Sequence, residues 1–338
     1  MMPRRVVTVF GGAGFIGRRI VRRLAYRGYE VRVALRYPHQ ALSLKPMGNV
    51  GQIVNIPVDF TDQDAVSAIM DGSDAAINAV GTLYEYGRNR TFQAAHVEGP
   101  ARIAMAARDL GLPCFIHISA LGASERSASA YMRSKAQGEE LVMRAFPQAT
   151  ILRPSVVFGP DDKFFNRFAS MGRFTGFLPV IDKEALSLTL ENGMPKFICM
   201  GKGGPSFQPI YVEDVADVVM KAFDDPKYGG QIYELGGPSR YSMKELMELI
   251  MTCAYRKYRL MPIPTFWAKV HASWLQWFPN PILTPDQVKM LQVDNVVTGA
   301  KPDITAFGVP PTPAEAVLPT YLARFRDAEE RQIARAFR

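Results

Sequence analysis

The feature that most restricts the fold of this chain is the stretch VFGGAGFIGRRI, residues 9–20. Gly11, Gly14 and Gly17 recur at every third position between an apolar run and an amphipathic run. At a turn from strand to helix, such glycines allow the tight turn, the approach of the backbone to a pyrophosphate, and the packing of the helix on the sheet. The helix N-terminus then presents free N–H groups to the phosphates. The stretch therefore predicts a dinucleotide-binding turn, with an ordinary tight turn as the alternative.

Strand-like and helix-like segments alternate over about the first 160 residues. The predicted strands run from RRVVTVF to QATILRPSVVFGP, and the first predicted helix, GRRIVRRLAYRG, places Ile20, Val21 and Leu24 on one face. Thr61 is the predicted N-cap of the helix TDQDAVSAIMDG. This alternation is typical of an α/β fold, a Rossmann-type doubly wound parallel sheet, here with a smaller and mostly helical C-terminal lobe.

The end of the second predicted strand distinguishes NAD from NADP. A carboxylate there would hydrogen-bond the ribose 2′-hydroxyl of NAD, but this strand ends in Leu35 and Arg36. Arg18 follows the third glycine, and two guanidinium groups suit a 2′-phosphate by charge and by bidentate geometry. We therefore predict NADPH as the cofactor, with Asp59 and Phe60 bordering the adenine. The alternative is that both arginines are solvated surface charges.

The chain is predicted to have three parts. Residues 1–160 form the NADP(H)-binding Rossmann core, and residues 161–254 form an irregular insert and elements that return to the sheet edge. Residues 255–338, rich in proline, aromatic and basic residues, form a C-terminal lobe and a tail helix. The tail, YLARFRDAEERQIARAFR, has a thin apolar stripe and is expected to dock on a partner or to fray.

The three tryptophans of the chain all lie in the C-terminal lobe. Trp267, Val270, Trp274 and Phe278 would form one stripe on a helix. Two interpretations are open at this point: the stripe packs into the core of the lobe, or it forms an exposed aromatic face at a protein or lipid interface.

Composition excludes several classes of protein. No apolar run approaches the about 20 residues of a membrane-spanning helix. The N-terminus lacks the apolar region of a secretory signal and enters its first predicted strand almost at once, so we expect either a bacterial-type cytosolic chain or one from which a presequence has been removed. The three cysteines lack CxxC spacing and the four histidines lack metal-ligand spacing, which predicts a reducing compartment and no metal site. The net charge of +8 is spread along the chain, which favours an anionic ligand, an acidic partner or a lipid surface over nucleic acid.

Five motifs taken together, GGAGFIG, VDFTD, NAVG, YMRSK and LRPSVVFGP, resemble those of extended, atypical short-chain dehydrogenases/reductases. FIHISAL, FGPDDKFFNRFASMGRF, PIYVEDV and GGPSRY extend the resemblance over almost the whole chain to the short-chain-dehydrogenase-like accessory subunits of respiratory complex I (NADH:ubiquinone oxidoreductase) and their alphaproteobacterial relatives. This resemblance implies bound NADPH, other complex I subunits of the peripheral arm as partners, and no demonstrated turnover. It also implies a peripheral place on the cytoplasmic side of a bacterial inner membrane, or on the matrix side of the mitochondrial one.

The active-site motif YxxxK of the resembled family matches Tyr131 and Lys135, which lie on one face of a helix. In active members the tyrosine is the general acid/base, and the lysine lowers its pKa and holds the nicotinamide ribose. The family also carries a Ser or Thr at the end of the fifth strand, where this chain has Ala120 and Leu121, with Ser119 a residue or two early. The substrate side of the site is therefore predicted to be degraded.

Three further positions bear on activity. Extended members commonly carry Asn where this chain has His96, and Ser124 and Ser127 lie near enough in sequence to replace the missing hydroxyl. Without such a hydroxyl a reaction loses a stabiliser worth several kcal/mol, by analogy with oxyanion-hole donors.

The glycine motif and the resemblance together predict the cofactor site. NAVG (Asn78 to Gly81) is placed beside the cofactor and RPS (Arg153 to Ser155) beside the nicotinamide, with ordinary strand-end turns as the alternative. The predicted cofactor-binding residues are Gly11, Gly14, Phe15, Ile16, Gly17, Arg18, Arg36, Asp59, Phe60, Ala79, Val80, Gly81, Ser119, Tyr131, Lys135 and Pro154.

The sequence thus predicts a non-catalytic, NADPH-binding accessory subunit of respiratory complex I that stabilises or assembles the peripheral arm near the membrane. Its C-terminal lobe is a candidate for contact with the membrane surface. The alternatives are a catalytically active NADP-dependent oxidoreductase or epimerase, with Tyr131 and Lys135 as the candidate catalytic residues, and a redox sensor of the NmrA-like type.

Overall fold

The computed structural model describes residues 5–87, 90–182, 187–191, 194–198, 201, 203–277, 281 and 283–326. The chain divides into two compact units, and each unit is assembled from separate segments of the sequence. The first comprises Met1–Pro154, Val212–Leu235 and Thr298–Pro310, and the second comprises Ser155–Tyr211, Gly236–Val297 and Pro311–Arg338. The three-part division drawn from the sequence stays a prediction.

Strands and helices alternate along the described chain. The strands are β1 (Val6–Phe10), β2 (Glu30–Leu35), β3 (Ile53–Pro57), β4 (Ala75–Asn78), β5 (Phe115–Ile118), β6 (Thr150–Pro154), β7 (Val157–Phe158), β8 (Phe177–Asp182), β9 (Ser187–Glu191), β10 (Met194–Ile198), β11 (Ser206–Phe207), β12 (Ile210–Tyr211), β13 (Ile232–Leu235), β14 (Tyr241–Ser242) and β15 (Arg259–Pro264). The α-helices are α1 (Gly17–Tyr26), α2 (Gln63–Met70), α3 (Gly99–Asp109), α4 (Ala130–Ala145), α5 (Phe165–Thr175), α6 (Val212–Asp224), α7 (Met243–Ala254), α8 (Thr265–Leu275), α9 (Pro285–Met290) and α10 (Ala314–Leu322). A π-helical turn at Gln93–Glu98 precedes α3.

The first unit contains a seven-stranded parallel sheet in the order β13-β6-β5-β4-β1-β2-β3, which confirms the predicted Rossmann-type fold class. The interior strand β1 pairs on both sides, because Val7 lies opposite Val31 of β2 and Ala75 of β4. The direction in which strands are added reverses at this point, which opens a crevice beyond the carboxyl ends of β1 and β4. The segment GGQIYELGG also returns to the sheet as predicted, since β13 pairs with the edge of β6.

Helix α1 forms as its apolar pattern predicts. Ile20, Val21 and Leu24 are fully buried against the sheet. The opposite face is basic and is neutralised by α6, because Arg23 donates to both Glu213 and Asp217.

The predicted N-cap of α2 is wrong by one residue. Asp62, not Thr61, caps the helix, and its carboxylate accepts hydrogen bonds from the N–H groups of Asp64 (2.9 Å) and Ala65 (3.2 Å). The Thr61 hydroxyl instead donates to the Asp59 carboxylate at 2.8 Å. A carboxylate at this position also stabilises the positive end of the helix dipole, which favours aspartate over threonine.

The second unit has its own core. Phe158, Phe165, Leu178, Leu246 and Leu318 are buried together there. Strand β8 pairs in parallel with β15, and β15 leads directly into α8.

The C-terminal part of the chain is tied to this core by a buried hydrogen bond. The Tyr321 hydroxyl of α10 donates to the Asp162 carboxylate at 2.6 Å, and the same carboxylate accepts the Phe165 N–H at 2.6 Å. The predicted tail helix falls largely on residues 327–338, which lie outside the described part of the chain.

The predicted helix with an aromatic stripe exists as α8, but the interpretation as a core stripe is wrong. Trp267 and Trp274 are 54% and 77% exposed, whereas Ala268 and Ala272 of the same helix are buried. Small alanine side chains allow the helix to lie close to the rest of its unit, and the rings therefore point outward. Phe278, the last member of the predicted stripe, lies outside the described residues.

Candidate functional site

The three glycines of the predicted turn form a tight cradle between β1 and α1. Gly11 has a φ of +75°, and a Cβ there would lie 2.8 Å from the backbone of Ala79. A Cβ on Gly17 would overlap the Gly11 carbonyl oxygen, so α1 begins directly against the turn. A Cβ on Gly14 would meet the Gly11 carbonyl oxygen at 3.1 Å and no other described atom within 4 Å. The space beside Gly14 is therefore open to a group that approaches the backbone, which fits a pyrophosphate.

The start of α1 supplies hydrogen-bond donors to the same space. The Gly14 N–H donates to the Gly11 carbonyl (2.9 Å), and the Arg18 N–H donates to the Gly14 carbonyl (3.0 Å), which together fix the turn. Between them, the N–H groups of Phe15 and Ile16 have no acceptor among the described residues. Unpaired N–H groups at a helix N-terminus are the donors that bind phosphate in dinucleotide folds.

Both predicted arginines lie beside aromatic rings. The Arg36 guanidinium, just past β2, lies 5.8 Å from the centre of the Phe60 ring, and the Arg18 guanidinium lies 6.0 Å from that of Phe15. Phe60 is itself held by Phe10 of β1, with ring centres 5.9 Å apart. Cation–π contact of this kind restricts a guanidinium without neutralising it. Each guanidinium is therefore positioned by an aromatic ring.

Asp59 does not act as the missing carboxylate of β2. It follows β3 and accepts hydrogen bonds from the N–H (2.9 Å) and hydroxyl (2.8 Å) of Thr61. These two bonds, assisted by the charges of Arg36 and Arg102, lower the pKa of Asp59 below its usual range. The carboxylate is thus ionised, and it stabilises a local turn with Thr61 beside the predicted adenine position.

The end of β4 is fixed by the side chain of Asn78. Its amide oxygen accepts the Val80 N–H at 3.0 Å, and its amide nitrogen donates to Nδ1 of His117 at 3.1 Å. The Ala79 N–H donates to the Phe10 carbonyl at 2.9 Å, which holds this turn against the end of β1. The predicted residues Ala79 and Val80 are therefore brought next to the glycine cradle, whereas Gly81 lies beside the Lys135 ammonium.

Helix α4 carries the YxxxK pair into the interior of the first unit. Ser129 is its N-cap and accepts the Met132 N–H, which confirms that Tyr131 lies in the first turn. Tyr131 and Lys135 are both buried, and the Lys135 ammonium donates to the Ile118 carbonyl at 3.2 Å. Burial raises the pKa of Tyr131 well above its ordinary value. Burial also lowers the pKa of Lys135 to about 8, against the opposing effect of the Glu139 carboxylate.

His96 stands where extended family members commonly carry asparagine, and the structure gives it a packing and hydrogen-bonding role. Its Nε2 accepts the Thr82 N–H at 3.0 Å, so a neutral ring carries its proton on Nδ1. Nδ1–H then donates to the Ser134 hydroxyl at 2.9 Å, and that hydroxyl donates to the Tyr131 carbonyl at 2.8 Å. The ring also stacks on Phe92 at 5.4 Å and meets the Tyr131 ring edge-on at 5.1 Å. Burial, followed by the charge of Lys135, lowers the pKa of His96 to about 2 and keeps it neutral.

This chain of hydrogen bonds was not predicted from the sequence. Ser134 falls inside the YMRSK motif, but nothing in the local sequence connects it with His96 or Thr82, which lie far from it along the chain. The replacement of asparagine by His96 was the only signal available, and it did not identify the partners.

Two buried polar atoms at the end of β5 have no hydrogen-bond partner among the described residues. They are Nε2 of His117, within the strand, and the hydroxyl of Ser119, which directly follows it. Buried polar groups are almost always paired, so each such atom needs a partner. An unpaired Ser119 hydroxyl fits its predicted place beside a bound cofactor.

At the end of the fifth strand, where active family members place a hydroxyl, Ser119 is followed by two residues that have none. Ala120 and Leu121 are buried at that place, and the Leu121 N–H donates to the Pro154 carbonyl at 2.9 Å. The two serines further along the loop serve local turns, since the Ser124 hydroxyl accepts the Arg126 N–H and the Ser127 hydroxyl accepts the Ser129 N–H. The site therefore has the tyrosine and the lysine, and the two residues that follow Ser119 carry no hydroxyl.

The three residues of the RPS motif make contacts with different parts of the chain. Pro154 ends β6 and supplies the carbonyl that holds Leu121. Arg153 forms a partly buried ion pair with Glu139 of α4, with its Nε 2.9 Å from one carboxylate oxygen. Ser155 belongs to the second unit, where its hydroxyl donates to the side-chain oxygen of Asn295 at 2.6 Å. Pro154 alone of the three was named as a cofactor contact, and that role stays a prediction.

Within the described residues, no helix combines the length and the apolar character needed to cross a membrane.

Comparison with known proteins relates the chain to one family and to one group of subunits. Residues 7–236 match the NAD dependent epimerase/dehydratase family. The mitochondrial NADH dehydrogenase (ubiquinone) 1 alpha subcomplex subunit 9 of Mus musculus is 33% identical over 312 residues, which span 92% of this chain and 78% of the mouse protein. The subunit of the same name from Arabidopsis thaliana is 35% identical over 307 residues, which span 87% of this chain and 71% of the plant protein.

Among solved structures, the UDP-glucose 4-epimerase of Thermus thermophilus in complex with NAD superposes with a TM-score of 0.66. It is 19% identical, and the match covers 96% of this chain and 99% of the epimerase. At this identity the likeness establishes the fold.

Proposed function

The chain belongs to the NAD dependent epimerase/dehydratase family, and we propose that it is a non-catalytic, NADPH-binding accessory subunit of respiratory complex I. The subunits it resembles from mouse and Arabidopsis carry the name NADH dehydrogenase (ubiquinone) 1 alpha subcomplex subunit 9. The observation that carries the proposal is the contrast within one site: the cradle for the dinucleotide is complete, whereas Ala120 and Leu121 occupy the place of the reactive hydroxyl. The retained nucleotide therefore stabilises the peripheral arm or assists its assembly.

The cofactor in this proposal is NADPH rather than NADH. Leu35 and Arg36 stand at the end of β2 in place of a carboxylate, and Arg18 lies at the start of α1. The cation–π contacts of both guanidinium groups limit their motion. A 2′-phosphate would gain charge-assisted hydrogen bonds from such groups, whereas a 2′-hydroxyl would not need them.

The absence of turnover in this proposal follows from the protonation and surroundings of Tyr131. The burial that raises the pKa of its phenol works against the deprotonation that a general base requires. Lys135 donates to the Ile118 carbonyl, and in this proposal it also holds the nicotinamide ribose. Without a hydroxyl at Ala120, a carbonyl substrate would lose the donor that orients its oxygen.

In the complex, the partners are other complex I subunits of the peripheral arm, and the location is peripheral to a membrane. In a bacterium this is the cytoplasmic side of the inner membrane, and in a mitochondrion the matrix side. The C-terminal part of the chain, with its exposed tryptophans, is the part that contacts the membrane surface.

The proposal is tested by isolating the native protein under conditions that preserve the respiratory complexes. Co-purification with NADH:quinone oxidoreductase activity is expected, and NADP(H) is expected to be released when the isolated protein is denatured. Recovery of the protein away from the complex would contradict the assignment as a subunit. Release of NAD(H) would contradict only the choice of cofactor.

The presence of both residues of the YxxxK motif on α4, Tyr131 and Lys135, favours a second candidate, an active NADP-dependent oxidoreductase or epimerase. It predicts NADPH oxidation with a carbonyl or nucleotide-sugar substrate, abolished by Tyr131→Phe. The first proposal predicts no such activity, so the same assay separates the two.

A further inference from the structure

Helix α8 presents an aromatic face that nucleotide binding does not explain. At about 100° per residue, Phe266, Trp267 and Trp274 fall within an arc of about 100°, on the side opposite Ala268 and Ala272. The three aromatic side chains are 68%, 54% and 77% exposed, in that order. Large exposed aromatic groups that share one face mark an interaction surface, because a monomer that kept them in water would lose the free energy of burying them.

A further tryptophan continues this face beyond the helix. Trp277 lies just after α8 and is 84% exposed. The helix is held in place from its other side, where Ala268 and Ala272 pack with Ile181 and Val288. The aromatic face is therefore supported by a buried anchor within the second unit and does not depend on its own burial.

The surroundings of this face are cationic. From Leu249 to Pro285 the sequence contains no aspartate or glutamate, and its charged residues are Arg256, Lys257, Arg259 and Lys269. Lys257, Arg259 and Lys269 are exposed. None of these three forms a salt bridge with a described residue, in contrast to Arg27 of α1, which pairs with Asp224 at 2.8 Å.

We propose that the aromatic face of α8, with the basic residues that flank it, docks on the surface of a bilayer that contains anionic lipids. This inference rests on the proposed peripheral location and names the chemistry of the surface and the residues that contact it. Tryptophan is favoured at the membrane–water interface because its ring is apolar and its N–H stays hydrated. Lysine and arginine beside such rings are attracted to anionic headgroups, and the absence of carboxylates removes the opposing repulsion.

The charge pattern favours lipid over a protein partner. A protein interface pairs its cations with carboxylates at fixed positions. A lipid surface offers mobile negative charge and accepts cations at any position. Lys257 lies just before β15, Arg259 is its first residue and Lys269 lies on α8, and none of the three has a salt-bridge partner in the described part of the chain. This arrangement matches a helix that lies in the plane of an interface.

The tryptophans provide a native probe, because the chain contains three and all lie at this surface. The full-length protein is titrated with vesicles of phosphatidylcholine alone and of equimolar phosphatidylcholine and phosphatidylglycerol. Binding is followed by co-sedimentation and by tryptophan emission. We expect the anionic vesicles to bind the protein and to shift its emission to shorter wavelength, and neutral vesicles to bind on the order of a hundredfold more weakly.

Two variants and two matched controls separate the contributions. Trp267→Ala with Trp274→Ala is expected to weaken binding by about tenfold or more, whereas Tyr26→Ala, which removes a 93% exposed ring from α1, is expected to have no effect. Trp277 remains as the probe in the double variant.

The charge variant replaces Lys257, Arg259 and Lys269 with glutamine. Its control replaces the same number of exposed cations in the first unit. The control changes are K45Q, R126Q and K301Q. The charge variant is expected to lose the preference for anionic vesicles and the salt dependence, and the control is expected to keep both. All variants are first checked for unchanged thermal unfolding with NADPH.

Equal binding to neutral and anionic vesicles would overturn the part played by charge. Failure to bind either vesicle, with the fold intact, would overturn the inference and assign the surface to a protein partner instead. Either result leaves the proposed subunit function standing if the native protein still co-purifies with the complex. If the protein binds vesicles but does not co-purify with the complex, the proposed subunit function is wrong and the inference about the lipid surface stands.

Discussion

Replacement of Gly14 by alanine separates nucleotide binding from folding more sharply than any other change in the cradle. A Cβ at Gly14 meets one described atom, the Gly11 carbonyl oxygen at 3.1 Å, and otherwise enters the open space of the cradle. Gly14 also has no positive φ, so alanine causes no backbone strain. We therefore expect Gly14→Ala to fold with nearly unchanged stability while its methyl group displaces the pyrophosphate.

The magnitude follows from the donors that the cradle offers. Loss of one charge-assisted hydrogen bond is worth about 1.5–3 kcal/mol, which raises the dissociation constant for NADPH by roughly 10- to 100-fold. NADPH at 100 times the wild-type dissociation constant stabilises the wild-type protein by about 2.7 kcal/mol. If the constant rises by about 30-fold, the same NADPH concentration stabilises the variant by only about 0.9 kcal/mol. For a chain of this length these values correspond to shifts in melting temperature of about 4 °C and about 1 °C.

The assay is thermal unfolding with and without NADPH, and two further glycines serve as references. Gly99→Ala places a Cβ 3.0 Å from the Ala94 carbonyl oxygen, a similar contact at the start of α3, and is expected to keep the full NADPH shift. Gly17→Ala would overlap the backbone of Gly11 and is expected to lower stability even without nucleotide. A wild-type shift in Gly14→Ala, or no shift in the wild-type protein, would refute the assignment of the cradle to the pyrophosphate.

Three further outcomes are expected. Arg36→Asp should reverse or abolish the preference for NADPH over NADH in calorimetric titrations, and an unchanged preference would show that the end of β2 does not select the cofactor. Tyr131→Phe should leave NADPH retention and assembly into the complex intact, whereas Lys135→Ala should weaken retention severalfold by removal of a ribose contact; equal retention in both variants would contradict the role of the lysine. Burial lowers the pKa of His117 to about 3 from an ordinary value of 6.5, so the unfolded state binds more protons between these values, and stability should fall as the pH decreases from 6.5 towards 3. The loss is up to about 1.4 kcal/mol per pH unit, and denaturant unfolding of His117→Gln should show a shallower slope.

The local features of the sequence predicted the glycine turn, the parallel sheet and the helix that carries Tyr131 and Lys135. The glycine spacing predicted a turn whose geometry depends on contacts within a few residues, and Gly11 and Gly17 have almost no steric freedom there. The alternation of apolar strands and helices predicted the parallel sheet, because burial on both faces leaves a local apolar signature. The YxxxK spacing likewise places Tyr131 and Lys135 on one face of α4 by helix geometry alone.

Competing local signals were harder to resolve. Thr61 and Asp62 are both acceptable N-caps, and the choice depended on the Asp59 carboxylate, which engages the Thr61 hydroxyl and leaves Asp62 to the helix. Aspartate and threonine stabilise a helix as N-caps by similar amounts, so the sequence alone does not show which of the two residues caps α2. The position of the third strand therefore decided the cap.

The remaining features depended on contacts between distant segments. The links from Thr82 through His96 to Ser134, and from Asn78 to His117, join residues that the sheet and its helices bring together, and no local pattern encodes them. Helix periodicity alone determined that the rings of α8 share one face. Whether that face is buried was decided by Ala268 and Ala272, whose small side chains allow the closer approach to the rest of the unit and turn the tryptophans towards solvent.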